Sequence, residues 1–219
     1  MKKIILCFLM IAPLYMFAQI GLKAGLNFAN VTKASSINNS SRSGFHVGLF
    51  LATSSKSIIG SRTELIFSRQ GYNYKTSTNT GSVNLDYIML PQYMSINITK
   101  YFSIMFGGQM AYLLNAKADS SNSTSSASPY GKMMDYYNKF DFGYGGGIEI
   151  HPVSGLLIGA RVNISLSKLY DFSSYSSGES PSFIPKVDVK NNVFQVFAGW
   201  KFGGNKKKEK EKKKNDKSE

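Results

Sequence analysis

Acid–base or nucleophilic catalysis needs a histidine, carboxylate or hydroxyl held against a second polar group. The chain offers few such sets. It has two histidines, His46 and His151. His46 with Asp141 is the one pair that could serve hydrolysis or acyl transfer, because each would sit near the outer end of its own alternating segment. No oriented nucleophile accompanies the pair. His151 precedes Pro152 and reads as a turn residue. No His, Asp or Glu cluster has metal-ligand spacing. The sequence therefore nominates no catalytic residue, no metal ligand and no cofactor, and it reads as no enzyme.

The stretch NKFDFGYGGGIEIHP carries glycine at 143, 145, 146 and 147 and invites comparison with a phosphate-cradling loop. It lacks the G-x-G-x-x-G spacing, and no helix signal follows it. Phe140, Phe142, Tyr144, Ile148 and Ile150 fall on one side of a two-residue period, with Asp141, Gly143, Gly145, Gly147 and Glu149 on the other. That is the pattern of a strand with one bulky and one small or charged face. Gly146 alone falls on the bulky side.

The same alternation recurs along the chain. QIGLKAGLNFA sets Ile20, Leu22, Ala24, Leu26 and Phe28 against Lys23 and small or polar residues. GFHVGLFLA sets Phe45, Val47, Leu49 and Leu51 against His46, with Phe50 breaking the rule. IIGSRTELIFSRQ, FSIMFGGQMAYLL, LLIGARVNISLSK and NVFQVFAGWKFG behave alike, with Arg62, Glu64, Gln109, Arg161 and Lys201 on their polar faces. VNLDYIMLPQYMSIN is apolar on both faces, and alternation leaves its facing open. These segments make eight strands, each long enough to cross a hydrocarbon core at a tilt.

Connection lengths alternate too. Residues 30–43, 71–82, 115–137 and 169–190 read as long connections, and 53–57, 98–101 and 151–155 as short ones. Short turns at one end and long loops at the other are the habit of bacterial outer-membrane barrels. The expected fold is all-β: an eight-stranded antiparallel up-and-down transmembrane barrel, with short periplasmic turns and long external loops. Its lumen should be filled by side chains. The inward network should comprise Lys23, His46, Arg62, Glu64, Gln109, Asp141, Glu149, Arg161 and Lys201, because a buried charge without a partner is costly. A symmetric 151–155 hairpin would set Arg161 opposite Gly145, with Glu149, Asp141 and Glu64 as candidate partners. Tyr101, Phe102, Tyr112, Phe140, Tyr170, Trp200 and Phe202 gather near strand ends, as interfacial aromatics do.

Residues 1–18 (MKKIILCFLMIAPLYMFA) have the charged start, apolar core and small final residue of a secretory signal. Cys7 is the only cysteine and lies inside that segment, so disulfides are excluded from the barrel. Of the formal charge of +13, Lys2 and Lys3 supply +2 and residues 205–219 supply +4, leaving +7 on residues 19–204. That is a moderate excess, unlike the dense patch of a nucleic-acid binder. Three segments follow: signal peptide 1–18, barrel 19–204 and a Lys-rich tail 205–219 expected to be disordered and periplasmic. Ser120–Pro129 is a low-complexity stretch expected in an outer loop.

GLKAGLNFANV, TELIFSRQGY, LDYIMLPQY, FDFGYGGGIEI, GARVNISLSKL and FQVFAGWKF, in this order, resemble the PorT-like outer-membrane β-barrel family of Gram-negative bacteria. The resemblance covers residues 19–203 and implies a small eight-stranded barrel of the outer membrane, one of whose members is linked to assembly of a secretion system. It supplies no catalytic residues. The function expected is that of a non-enzymatic, monomeric outer-membrane barrel with a structural, interaction or envelope/secretion-assembly role. Its partners would be outer-membrane lipid and envelope or secretion-system proteins. A soluble exported lipocalin-like barrel with an apolar ligand would need the bulky face inside. An outer-membrane acyltransferase or protease would need His46 and Asp141 assembled.

Overall fold

The computed structural model describes residues 19–32, 34, 37–53, 57–77, 80–120, 131–171, 184 and 188–202. The signal segment, the tail and all but the first residue of Ser120–Pro129 lie outside the described residues.

Strands β1 (Gln19–Val31), β2 (Ser40–Ala52), β3 (Ile59–Lys75), β4 (Thr80–Asn97), β5 (Phe102–Ser120), β7 (Phe140–Ile150), β8 (Leu156–Ser165) and β9 (Asn191–Lys201) form a ring of antiparallel neighbours. β1 pairs with β9, and β4 with β5, so the sheet has no open edge. A two-residue strand β6 (Gly131–Lys132) adds to β5 outside the ring. Closure matters because hydrocarbon cannot satisfy an exposed ladder edge. No helix among the described residues is long and apolar enough to cross a membrane.

The alternation decides which side faces out. Ile20, Leu22, Leu26, Val47, Leu49, Leu65, Leu90, Phe106, Ile148, Val162 and Val196 are all exposed on the outer wall. Lys23, Arg62, Glu64, Glu149 and Arg161 are buried inside. This is the reverse of what a soluble ligand-binding barrel requires.

Three strands exceed the membrane. β3, β4 and β5 run for 17, 18 and 19 residues, against 10 to 13 for the other five of the ring. The expected loop 71–82 is therefore mostly strand, with β3 and β4 joined across residues 76–79. Likewise the first part of the expected loop 115–137 belongs to β5. The polarity of the alternation inverts in this rising wall. Leu65 and Phe67 face outwards on β3, whereas Tyr72 and Tyr74 face inwards above them. On β4, Leu90, Met94 and Ile96 are exposed below, while Val83, Leu85, Tyr87 and Met89 are buried above. Below, the surroundings are lipid and the apolar groups go out; above, they are water and the apolar groups go in. That inversion is why VNLDYIMLPQYMSIN is apolar on both faces. A bulge between Asp86 and Tyr87, opposite Leu113 and Asn115, adjusts the phase on β5. The inverted part has its own core, which Ile37, Tyr72, Leu85, Tyr87, Leu113, Tyr137 and Tyr170 help to build.

The filled lumen as candidate functional site

The inward charges of the membrane zone come from four strands, Lys23 from β1, Arg62 and Glu64 from β3, Glu149 from β7 and Arg161 from β8, and ring closure brings them together. Glu64 of β3 is the hub. Arg161 Nη1 of β8 donates to its Oε2 at 2.8 Å, and Lys23 Nζ of β1 donates to the same oxygen at 3.2 Å. Glu149 of β7 takes Arg62 in a two-pronged pair, with Arg62 Nη2 2.7 Å from Oε2. Such bidentate pairs fix geometry as well as charge. All five side chains are at most 4 % exposed.

The network continues upwards through neutral groups. Arg161 Nε donates to Gln195 Oε1 at 2.6 Å, and Gln195 Nε2 donates to Asn27 Oδ1 at 2.7 Å. Asn27 Nδ2 donates to Ser68 Oγ at 2.9 Å, Gln70 Nε2 donates to the same hydroxyl, and Asn191 Nδ2 donates to Gln70 Oε1 at 2.6 Å. A side branch runs from the Tyr93 hydroxyl to Asn163 Oδ1 at 2.8 Å. Asn27, Asn163 and Gln195 carry no charge to mark them in the sequence, though alternation places all three inwards. Their signal is a long polar side chain on an otherwise small-residue face.

Two residues that break the bulky-out rule explain themselves here. The Arg62 guanidinium lies over Phe50, 4.9 Å from the ring centroid. Lys23 Nζ lies 3.7 Å from the centroid of Phe197. Inward aromatics thus seat the cations where water is excluded.

The remaining expected members are placed differently. His46 Nδ1 lies 2.8 Å from Asn27 Oδ1, an acceptor, so this nitrogen carries the proton. Among the described residues His46 joins the network through that bond alone, because its Nε2 finds no partner there. Asp141 accepts from Ser165, so His46 and Asp141 are not assembled as a catalytic pair. Gln109 is buried with its carbonyl oxygen unpartnered. Lys201 is half-buried at the short-turn mouth. Arg161 lies opposite Gly147, not Gly145, because the β7–β8 register pairs Gly145 with Asn163. The turn closes two residues away from the symmetric expectation, and the guanidinium still gains the space that a glycine leaves. Among the described residues no cluster of three His, Cys, Asp or Glu could hold a metal.

Tyr101, Tyr112, Phe140, Trp200 and Phe202 stand exposed on the outer wall, and Phe102 is half-exposed. Tyr170 does not join them. It is 2 % exposed, turned inwards, with its hydroxyl 2.5 Å from that of Tyr72. It lies in the inverted part, where apolar bodies point to the interior. Phe28 with Phe194, and Tyr112 with Phe140, form outer-wall ring pairs with centroids 6.3 and 5.0 Å apart.

The profile of a family described as outer membrane protein beta-barrel domain matches residues 16–171. No curated protein matches the sequence. Among solved structures, Neisserial surface protein A is similar at 11 % identity and a TM-score of 0.50, covering 84 % of this chain and 97 % of that one. Ail, the attachment invasion locus protein of Yersinia pestis, was solved with the heparin analogue sucrose octasulfate. It is 17 % identical with a TM-score of 0.49, over 85 % of this chain and all of that one. OprG of Pseudomonas aeruginosa is 10 % identical with a TM-score of 0.41, over 85 % and 97 %.

Proposed function

The chain belongs to the outer membrane protein beta-barrel domain family, and from that premise we propose that it is a non-enzymatic barrel acting as an interaction platform of the cell envelope. The observation that carries this reading is the wall of β3, β4 and β5, which on its β5 side continues from Leu113 to Ser120 beyond the last pair with β7 at Tyr112 and is held upright by its own core. A strand needs about 9–11 residues to cross the hydrocarbon. The surplus has no membrane task, and it presents a rigid surface to water. The lumen beneath is filled, among the described residues, by paired charges and amides, as an eight-stranded ring allows.

In this reading the short turns and both ends of the ring face the periplasm, and the rising wall faces outwards. Residues 1–18 direct export, and residues 205–219 lie in the periplasm. The barrel is a monomer in outer-membrane lipid. The finer resemblance to PorT-like barrels makes envelope or secretion-system proteins the partner class.

A photocrosslinker at the exposed Lys75 on the rising wall, and another at the lipid-facing Val162, test the platform. Specific envelope adducts from the first position alone are expected. Equal adducts from both, or none from the wall, would overturn the reading.

A further inference from the structure

A small polar pocket lies at the short-turn mouth, directly below the charged network. Arg62, Ser95, Asn97, Ser103, His151 and Lys201 supply most of its polar lining, together with the Glu149 carboxylate. Its empty volume is about 240 Å³, shared with the opening, and its interior has room for one water-sized occupant. Gly60 packs against two hydroxyls of this lining: a Cβ there would come within 2.5 Å of Ser95 Oγ and 2.9 Å of Thr53 Oγ1.

Charge in this part of the lumen does not balance. Lys23, Arg62, Arg161 and Lys201 face Glu64 and Glu149. The third inward carboxylate, Asp141, is eight residues from Glu149 along β7, about 26 Å away at strand rise. It is already bonded to Ser165. Both Glu149 oxygens accept from Arg62, so that carboxylate is neutralised by the guanidinium beside it. Lys201 has no ion-pair partner among the described residues. Arg62 is 4 % exposed, yet its Nε has no hydrogen-bond partner. A buried guanidinium N–H without an acceptor is costly.

We propose that this pocket binds one small monovalent anion, of chloride size, held by the surplus positive charge of Lys201 and the free N–H of Arg62. The Ser103 hydroxyl is committed to Asn97 Oδ1 at 2.6 Å and fixes that side of the wall, while Ser95, which stands across the space above Gly60, adds a hydroxyl donor. The bound anion offsets the cationic excess at this mouth of the lumen.

Chloride NMR line broadening of the folded full chain in neutral detergent tests this, with gluconate keeping ionic strength constant. A saturable broadening is expected in the parent protein. Lys201→Gln should weaken it at least about tenfold, the loss of one charge-assisted contact. Gly60→Ala leaves every charge in place and should weaken it by displacing the Ser95 and Thr53 hydroxyls from the lining. Heat-modifiable gel mobility verifies that each variant is folded. Equal saturable broadening in the parent and either folded variant, or a response that only tracks ionic strength, would overturn the assignment.

Discussion

Arg161 Nη1 and Glu64 Oε2 meet at 2.8 Å in the middle of the lumen, although 97 residues separate them in the chain. Both side chains are at most 2 % exposed, so bulk water does not replace either partner. Glu64 also anchors Lys23, and Arg161 also anchors Gln195. Removing one member strands the others. Glu64→Gln should destabilise the barrel by about 3–5 kcal/mol, the usual cost of leaving a buried charge unpaired. Arg161→Met in the same background should recover part of that loss. Urea titration of the barrel refolded in vesicles measures both. A Glu64→Gln cost below 1 kcal/mol, or double-variant costs that simply add, would mean that the network carries no net energy.

A second expectation concerns the rising wall. The Tyr72 hydroxyl lies 2.5 Å from that of Tyr170 and 3.2 Å from that of Tyr137, tying β3 to the two segments that flank β7 and β8. Tyr72→Phe keeps the ring and removes one hydrogen-bond partner from each of the other two hydroxyls. The expected cost is about 0.5–1.5 kcal/mol, that of an ordinary hydrogen bond, and it should be local. External protease should cut residues 131–139 or 166–171 faster, while the membrane part keeps its heat-modifiable gel shift. Unchanged cleavage would show that apolar packing alone holds this part.

These two sets of residues were not equally legible in the sequence. The charged network could be read because Lys23, Arg62, Glu64, Glu149 and Arg161 stand out on faces otherwise made of small residues. A charge among glycines needs a wet or paired environment. Which charge meets which was not legible, since pairing across the lumen depends on ring closure and on shear. The β7–β8 register, shifted by two residues from the symmetric expectation, shows this for Gly147 and Arg161. The tyrosine cap was hidden for another reason. An aromatic near a strand end reads alike whether it meets lipid headgroups or the inside of a wall above them. Tyr170 and Trp200 have the same local signal and opposite facing. Only the reversal of solvent between lipid and water separates them.

His151 makes a pH prediction. It follows β7 at the short-turn mouth, where burial first and the Lys201 charge second hold its imidazole down from 6.5 to about 4. The unfolded chain takes up a proton near 6.5 that the folded barrel refuses until about 4. Stability from neutral His151 is therefore full above the unfolded value and is lost as pH falls towards 4, by up to about 3 kcal/mol. His151→Gln should flatten this part of the urea-midpoint profile between about pH 7 and pH 4. A parent profile no steeper than that of the variant would refute the assignment.

The glycine run on β7 gives a sharp comparison between neighbours. Gly147 faces inwards opposite Arg161, and a Cβ there would lie 2.2 Å from the Ala160 carbonyl oxygen and 2.5 Å from Arg161 Cβ. Gly146 faces lipid, and its nearest obstacle is the Met105 carbonyl oxygen at 3.4 Å. The clash at 147 is with backbone and with the root of a side chain, so neither can rotate away. Gly147→Ala must push β7 from β8 or tilt Arg161 off Glu64, at about 1–3 kcal/mol for overpacking and more where the ion pair opens. Gly146→Ala meets ordinary contact distances and adds an apolar methyl to the lipid face. It should be neutral or slightly stabilising, because alanine also loses less chain entropy than glycine on folding. Urea midpoints of the two variants, measured in the same vesicles, decide the matter. Equal costs at the two positions would mean that the glycines serve chain flexibility and not the space around Arg161.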